Sequence, residues 1–202
     1  MEEKTGAAVF LDRDGTINEE VGYLDRLEKL RLIPGAAEAI RRLNASGMKA
    51  IVVTNQSGVA RGFFDEAFIA DLHARLEEML RQEGAFLAGI YYCPHHPTEG
   101  REPYLRTCDC RKPAPGLFLR AQQELGIDFS RSYMVGDTLS DLEAGTRTGI
   151  RGILVRTGYG NRTAAALGDG GANGQEGALV RPAHMAANLL AAVKWILRKE
   201  TP

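Results

Sequence analysis

The chain has 202 residues, of which 44% are hydrophobic and 25% are charged, as in an ordinary globular protein. Its 25 Lys and Arg residues nearly balance 26 Asp and Glu residues, which argues against non-specific binding of nucleic acid or anionic lipid. The amino terminus is charged and no apolar run reaches membrane-spanning length, so the sequence predicts a cytoplasmic protein without a signal peptide. The length suits one domain over residues 1–202, which we expect to be monomeric.

Short apolar runs of strand length alternate with amphipathic helical patterns along the chain. Strands are predicted at residues 7–11, 50–53, 89–92, 132–135 and 152–155, with one more short strand at 178–180. Helices are predicted between Gly35 and Gly47, from Asp65 to Gly84, at 116–125, at 141–148, and near the carboxyl terminus. The core-facing residues of that last helix are predicted to be Met185, Leu189, Val193, Ile196 and Leu197.

This alternation indicates an α/β fold, a Rossmann-like, doubly wound parallel sheet with helices on both faces. The glycine-rich segment 158–177 interrupts the pattern and is expected to be a mobile loop or an embellishment. In such folds ligands bind at the carboxyl ends of the strands. The functional residues are therefore sought directly after the predicted strands.

Polar motifs do follow the strands, at residues 12–16, 54–57 and 136–138, and Lys112 comes from the long loop after the third strand. Alone, each of these residues would be an ordinary turn, helix-start or surface residue. Together they place carboxylates, a hydroxyl and an ammonium group on one rim of the sheet. A phosphate ester repels an attacking carboxylate unless cations screen the charge, and Mg²⁺ prefers oxygen ligands such as Asp12 and Asp137. The set favours phosphoryl transfer.

Four motifs between Asp12 and Asp141 resemble those of the haloacid-dehalogenase superfamily of phosphatases. They are Asp-Arg-Asp-Gly-Thr, Thr-Asn-Gln-Ser-Gly, Arg-Lys-Pro and Gly-Asp-Thr-Leu-Ser-Asp. The resemblance implies that Asp12 attacks phosphorus and that Asp14 protonates the leaving oxygen and later activates water. It also implies that Thr54 and Lys112 hold the phosphoryl group. The catalytic Mg²⁺ would be bound by Asp12, Asp137 and the backbone carbonyl of Asp14.

Two pairs of soft ligands lie in the long loop, over residues 93–110: Cys93 with His95, and Cys108 with Cys110. Residues two apart in an extended chain face the same side, so His95, rather than His96, is expected to complete the set. Four such ligands fit a tetrahedral, structural Zn²⁺ that fixes the loop carrying Lys112. The alternative is three reduced, buried cysteines without a metal.

The zinc loop beside this core resembles the heptose-bisphosphate phosphatase branch of the superfamily, whose close relatives are the histidinol-phosphate phosphatases. The resemblance implies a small sugar bisphosphate as substrate, a role in the supply of heptose for lipopolysaccharide, and a small flap after the first motif. The residues expected to contact substrate are Arg13, Glu20, Val21, Gly22, Tyr23, Asn55, Gln56, Ser57, Arg111 and Thr138.

Within that set, Arg111 is expected to bind the phosphate that is not cleaved, since a guanidinium group can contact two phosphate oxygens. Thr138 departs from the branch, which carries a lysine there, so the donors for this second phosphate differ. The alternatives are a histidinol-phosphate phosphatase, a broader sugar-phosphate phosphatase, or a zinc-stabilised module that binds phosphate without turnover.

Overall fold

The computed structural model describes residues 6–168 and 180–200, in which six parallel strands form one sheet. The strands are β1 (Ala8–Leu11), β2 (Lys49–Asn55), β3 (Gly89–Cys93), β4 (Tyr133–Gly136), β5 (Arg151–Val155) and β6 (His184–Ala186). Their order across the sheet is β3-β2-β1-β4-β5-β6. The predicted doubly wound parallel sheet is therefore confirmed.

The helices of the described residues cover both faces of this sheet. They are α1 (Ala36–Ala45), α2 (Glu66–Gln82), α3 (Gly116–Leu125), α4 (Leu139–Arg147), α5 (Gly160–Gly168) and α6 (Leu189–Glu200). Within residues 6–168 and 180–200, none of the helices has the length and apolar character needed to span a bilayer.

Successive residues of β1 point to opposite faces, and each face has its own hydrophobic core. Leu11 packs with Ile40 of α1, Leu72 of α2 and residues of α6, whereas Phe10 packs on the other face with Phe118 of α3. Both faces are buried, which explains why the strands are continuous apolar runs without alternation.

The chain changes face next to β1, which pairs with β2 on one side and β4 on the other. The helix that follows β1 packs on one face, and the helix that follows β4 packs on the opposite face. Such a switch point leaves a crevice at the carboxyl ends of the two strands, where doubly wound proteins bind ligands.

Most predicted helices agree with the structure, and α3 has the bounds that the sequence predicts. Gly126 follows it with a φ of 62°, a left-handed conformation that favours glycine. Helix α4 begins at Leu139, two residues before the predicted start at Asp141. Thr138 caps it, because Asp141 accepts from the Thr138 backbone N–H in a capping box.

The carboxyl-terminal third contains the errors of the prediction. The segment from Gly158, expected to be a mobile loop or an embellishment, contains α5, because consecutive alanines and Leu167 favour a helix despite the flanking glycines. Residues 169–179 lie outside the described residues, and so does most of the strand predicted at 178–180, of which Val180 is in no strand. Among the described residues the last strand is β6, which the sequence did not predict, and Met185, predicted to face the core from α6, lies in β6 and is 38% exposed.

Candidate active site

The carboxyl ends of β1, β2 and β4 bring the polar motifs together at the crevice. Asp12 follows β1, and its backbone N–H donates to Val135 O of β4 at 2.9 Å. Thr54 lies near the end of β2, and Asp137 directly follows β4. Carboxylate oxygens of Asp12, Asp137 and Asp141 lie within 4.8 Å of one another. Asp141 reaches the site because α4 begins at the crevice.

The ammonium group of Lys112 lies among these carboxylates. Its Nζ is 2.8 Å from Asp12 Oδ1, 2.6 Å from Asp141 Oδ1 and 2.7 Å from Val53 O. Burial alone would lower the pKa of Lys112, but the charges of Asp12 and Asp141 outweigh it and hold the pKa above its ordinary value. Lys112 therefore stays a cation beside Asp12 throughout the physiological pH range.

One lysine does not neutralise this many buried carboxylates. Burial raises the pKa of Asp12 to about 7, although Lys112 lowers it, and the charge of Asp141 contributes to the rise. Burial also raises the pKa of Asp137 to about 8, and the charge of Asp12 adds to the effect. A divalent cation between Asp12 and Asp137 would favour the charged form of both groups.

The carboxylate of Asp137 has one oxygen available to bind such a cation. Its Oδ2 accepts from the backbone N–H of Tyr159 at 2.7 Å, whereas Oδ1 is buried and has no hydrogen-bond partner among the described residues. Gly15, with a φ of 76°, and Gly158 pack so closely against Asp137 that a Cβ on either would overlap its carboxylate. A free carboxylate oxygen next to Asp12 fits Mg²⁺, which takes oxygen ligands.

Asp14 lies beside this cluster, but other groups hold its carboxylate. Arg13 donates to it from Nη2 at 2.7 and 2.9 Å, and the side-chain amides of Asn18 and Gln56 donate at 2.9 Å. Burial would raise the pKa of Asp14, but the charge of Arg13 and these hydrogen bonds hold it below the ordinary value. Asp14 is therefore ionised in the substrate-free protein.

A pocket of about 290 Å³ opens over these groups. Its lining includes Asp12, Asp14, Thr54, Lys112, Asp137 and, of the predicted substrate contacts, Arg13, Glu20, Gly22, Tyr23, Asn55, Gln56, Ser57 and Thr138. Two predicted contacts are not part of the lining. Val21 is 45% exposed, and Arg111 donates from Nη1 to His95 O at 3.1 Å.

Three residues of the predicted flap, Glu20, Gly22 and Tyr23, line this pocket, and residues that the sequence did not indicate pack around them. Tyr159 lines the pocket together with Glu20, whose charge raises the pKa of the Tyr159 phenol. The ring of Tyr23 lies 4.4 Å from that of Phe63, centroid to centroid, and the Arg61 guanidinium lies 5.9 Å from the Tyr23 ring. The signal for Tyr159 was its position just after β5, the rule that located the other motifs.

The four predicted zinc ligands form a second cluster. Sγ of Cys93 lies 3.5 Å from Sγ of Cys108 and 3.1 Å from Sγ of Cys110. Nδ1 of His95 lies 3.3 Å from Sγ of Cys110 and 3.7 Å from Sγ of Cys93. Sulfurs around one tetrahedral zinc at 2.3 Å are separated by about 3.8 Å, so a small expansion of this cluster would accommodate the ion. His96 points elsewhere, accepting from the backbone N–H of Glu99.

The cysteine cluster is joined to the pocket through the sheet edge. Cys93 pairs with Asn55 in the register of β3 and β2, and its carbonyl accepts from Gln56 N at 2.8 Å. Asn55 accepts from Lys112 N at 3.0 Å and donates to Lys112 O at 3.1 Å. Asn55, predicted to contact substrate, therefore also fixes the backbone of Lys112.

Fold and site together are those of a haloacid dehalogenase-like hydrolase, and the chain belongs to this family. The model of the haloacid dehalogenase-like hydrolases matches residues 2–149. A second model, of HAD-like hydrolases, matches residues 109–192. The family predicted from the four motifs is confirmed.

Within this family the chain is similar to enzymes named D-glycero-beta-D-manno-heptose-1,7-bisphosphate 7-phosphatase. It is 49% identical to that of Photorhabdus laumondii over 75% of this chain and 81% of the relative. It is 46% identical to that of Escherichia coli K12, over 77% of this chain and 82% of the relative. A solved structure of D,D-heptose 1,7-bisphosphate phosphatase from B. bronchiseptica, complexed with magnesium and phosphate, is 31% identical. It matches with a TM-score of 0.81, over 96% of this chain and 99% of that one.

Proposed function

We propose that this protein is a magnesium-dependent phosphatase that removes the 7-phosphate of D-glycero-D-manno-heptose 1,7-bisphosphate. The observation that carries the proposal is the buried group formed by Asp12, Asp137 and Lys112 at the switch point of the sheet. It combines a carboxylate that can attack with a cation and a free metal-binding oxygen. The names of the relatives identify the substrate, and they specify its β-anomer.

The reaction begins at Asp12. Its carboxylate oxygen forms a bond to phosphorus while the bond from phosphorus to the sugar oxygen breaks, and that oxygen takes a proton from Asp14. Thr54 and Lys112 hold the phosphoryl group as it transfers. Water then attacks the phosphorus of the aspartyl phosphate and loses its proton to Asp14, which releases phosphate and restores Asp12. Asp12 and Asp137 would hold the magnesium ion, which would neutralise negative charge on the phosphoryl oxygens.

Asp14 must carry a proton to act as the acid, although Arg13 keeps it ionised in the free protein. A substrate phosphate entering beside Asp14 raises its pKa, because two nearby negative charges disfavour each other. Proton uptake therefore accompanies substrate binding. The carboxyl of Asp14 is not needed as a metal ligand, because the expected metal contact of this residue uses only its backbone carbonyl.

A structural zinc on Cys93, His95, Cys108 and Cys110 belongs to the same proposal. Four protein ligands leave no position for water or substrate, so such an ion stabilises the loop without taking part in hydrolysis. The hydrogen bonds of Asn55 to Lys112 support this role, because they join the end of the loop to strand β2.

A second candidate is a broader sugar-phosphate phosphatase. The observation that favours it is Arg111, which donates to His95 O and is absent from the pocket lining. Without a guanidinium facing the pocket, a remote phosphate has one recognition group fewer. The same machinery could then accept histidinol phosphate or fructose 1,6-bisphosphate.

A comparison of kcat/KM for four substrates tests the proposal. They are the two heptose bisphosphate anomers, fructose 1,6-bisphosphate and histidinol phosphate. We expect the β-heptose bisphosphate to have the highest value, with activity dependent on magnesium. Similar values for all four would favour the broader phosphatase, and the highest value for histidinol phosphate would reject the heptose assignment.

A further inference from the structure

The buried guanidinium group of Arg13 links the site to helix α2. Arg13 is 1% exposed, and its Nε and Nη2 donate to Asp14. Nη2 also donates to Gln56 Oε1 at 3.1 Å. The remaining nitrogen, Nη1, lies 3.3 Å from Nε2 of His73, its sole hydrogen-bond partner among the described residues. The orientation of Arg13 therefore depends on contacts at both ends of the guanidinium plane.

His73 is well placed to fix that orientation. It lies on α2, is 8% exposed, and meets the ring of Tyr92 edge-on with centroids 5.5 Å apart. Tyr92 is itself held, because its hydroxyl donates to Glu66 Oε2 at 2.6 Å. The imidazole can accept from Arg13 at Nε2 only if it is neutral, with its proton on Nδ1. Burial, together with the charge of Arg13, lowers the pKa of His73 to about 3, in agreement with that form.

We infer that His73 is a positioning residue for the phosphatase reaction: it orients Arg13, and through Arg13 it orients the carboxyl of Asp14. This inference rests on the function proposed above. His73 is not part of the pocket lining, and its hydrogen bond within the described residues goes to Arg13. Its removal would leave the pair of Asp12 and Lys112 intact and would act on Arg13 and, through Arg13, on Asp14, the residue expected to move protons.

Loss of His73 should slow hydrolysis most for substrates whose leaving group needs a proton. An alkyl oxygen, as in a sugar phosphate, is a poor leaving group unless it is protonated, whereas a nitrophenolate leaves without a proton. In the His73→Leu variant we expect kcat for the sugar phosphate to fall about tenfold, a part of the 10²- to 10⁴-fold that a well-placed acid supplies. For p-nitrophenyl phosphate we expect a fall of less than about threefold.

Two further variants separate positioning from packing. His73→Gln keeps an acceptor within reach of Arg13 and should restore the wild-type ratio of the two rates. Leu76→Ala creates a cavity on the same buried side of α2 and removes no hydrogen bond from Arg13, so it should leave the ratio unchanged. If His73→Leu fails to fold, His73→Met, which has no strong acceptor, takes its place with the same expectation.

Equal losses on both substrates, or no loss, would overturn the inference, as would a His73→Gln variant that behaves like His73→Leu. Wild-type protein that hydrolyses neither substrate would reject the proposed function, and this inference with it. The selective loss and its rescue by glutamine are the result that supports the role of His73.

Discussion

The ammonium group of Lys112 lies 2.8 Å from the carboxylate of Asp12, a residue one hundred positions earlier in the chain. Both groups are buried, and Lys112 also pairs with Asp141 at 2.6 Å, so the lysine would keep a carboxylate partner if Asp12 were lost. Such a pair contributes little net stability after the cost of desolvation. Its position at the carboxyl ends of the strands instead places a cation where a phosphoryl group would meet Asp12.

The Asp12→Asn variant tests the nucleophile. The amide is nearly isosteric but cannot attack phosphorus effectively, so we expect kcat to fall on the order of 10⁴-fold or more. Circular dichroism and zinc content should remain those of the wild type. Substantial turnover in a carefully purified variant would contradict the mechanism, because no second carboxylate takes this position directly after β1.

Much of this site is evident in the sequence because its signals are local. Asp12, Thr54 and Asp137 each follow an apolar run that could only be a buried strand, and parallel strands bring their carboxyl ends together. The predicted zinc ligands Cys93, His95, Cys108 and Cys110 also lie close together in the sequence. The strand and helix positions were predicted for the same reason, up to β5.

The remainder depends on contacts that a linear pattern does not contain. Asp14 lies where the sequence puts it, but the direction of its side chain is determined by Arg13 and Gln56. The contribution of Tyr159 was obscured by the surrounding glycines, although it lies in the loop that follows β5. Arg111 was expected to face the pocket, whereas its guanidinium hydrogen-bonds His95 O.

The Asp137→Asn variant tests the magnesium site without an activity assay. In the wild-type protein, magnesium at about 100 times its Kd should add about 2.7 kcal/mol to the free energy of unfolding. The variant should lose most of this gain, measured as the magnesium-dependent shift in Tm. Asp71→Asn, which removes an exposed charge from α2, should retain the full shift. A wild-type shift in Asp137→Asn would reject Asp137 as a ligand.

The same carboxyl predicts a pH dependence in metal-free protein. Folding raises the pKa of Asp137 from 3.8 to about 8, so the folded state binds the proton more tightly than the unfolded state. The contribution of Asp137 to the free energy of unfolding is greatest below pH 3.8 and decreases as the pH rises to about 8. The decrease is at most about 1.4 kcal/mol per pH unit. Urea unfolding of wild type and Asp137→Asn at several pH values should show the difference. An identical dependence in both proteins would contradict the assignment.

The Cys108→Ser variant tests the zinc cluster. We expect about one zinc per wild-type chain by elemental analysis, and much less in the variant, with a lower Tm and lower activity. His96→Ala is the matched control, since His96 faces away from the cluster, and it should keep its zinc. Wild-type protein without zinc, or a Cys108→Ser variant of unchanged stability and activity, would show that these cysteines are ordinary core residues.

Arg111 decides between a bisphosphatase and a broader phosphatase. It lies between the zinc ligands and Lys112 in sequence, and it is near His96, whose pKa is lowered first by burial and then by the charge of Arg111. A phosphate at the rim of the pocket could replace His95 O as the acceptor of its guanidinium group. This exchange would add a contact that only a bisphosphate can make.

If it occurs, Arg111→Ala should lower kcat/KM for the bisphosphate by about 10- to 150-fold, the effect of losing about 1.5 to 3 kcal/mol. A monophosphate of the same sugar lacks the second phosphate and should lose much less. The ratio of the two losses is the informative quantity, because damage to the neighbouring Lys112 would reduce both rates alike and cancel. Arg101→Ala removes an equal charge from the exposed part of the same loop and should leave that ratio at one. Equal losses in Arg111→Ala would mean that the zinc loop positions Lys112 for chemistry without recognising the far end of the substrate.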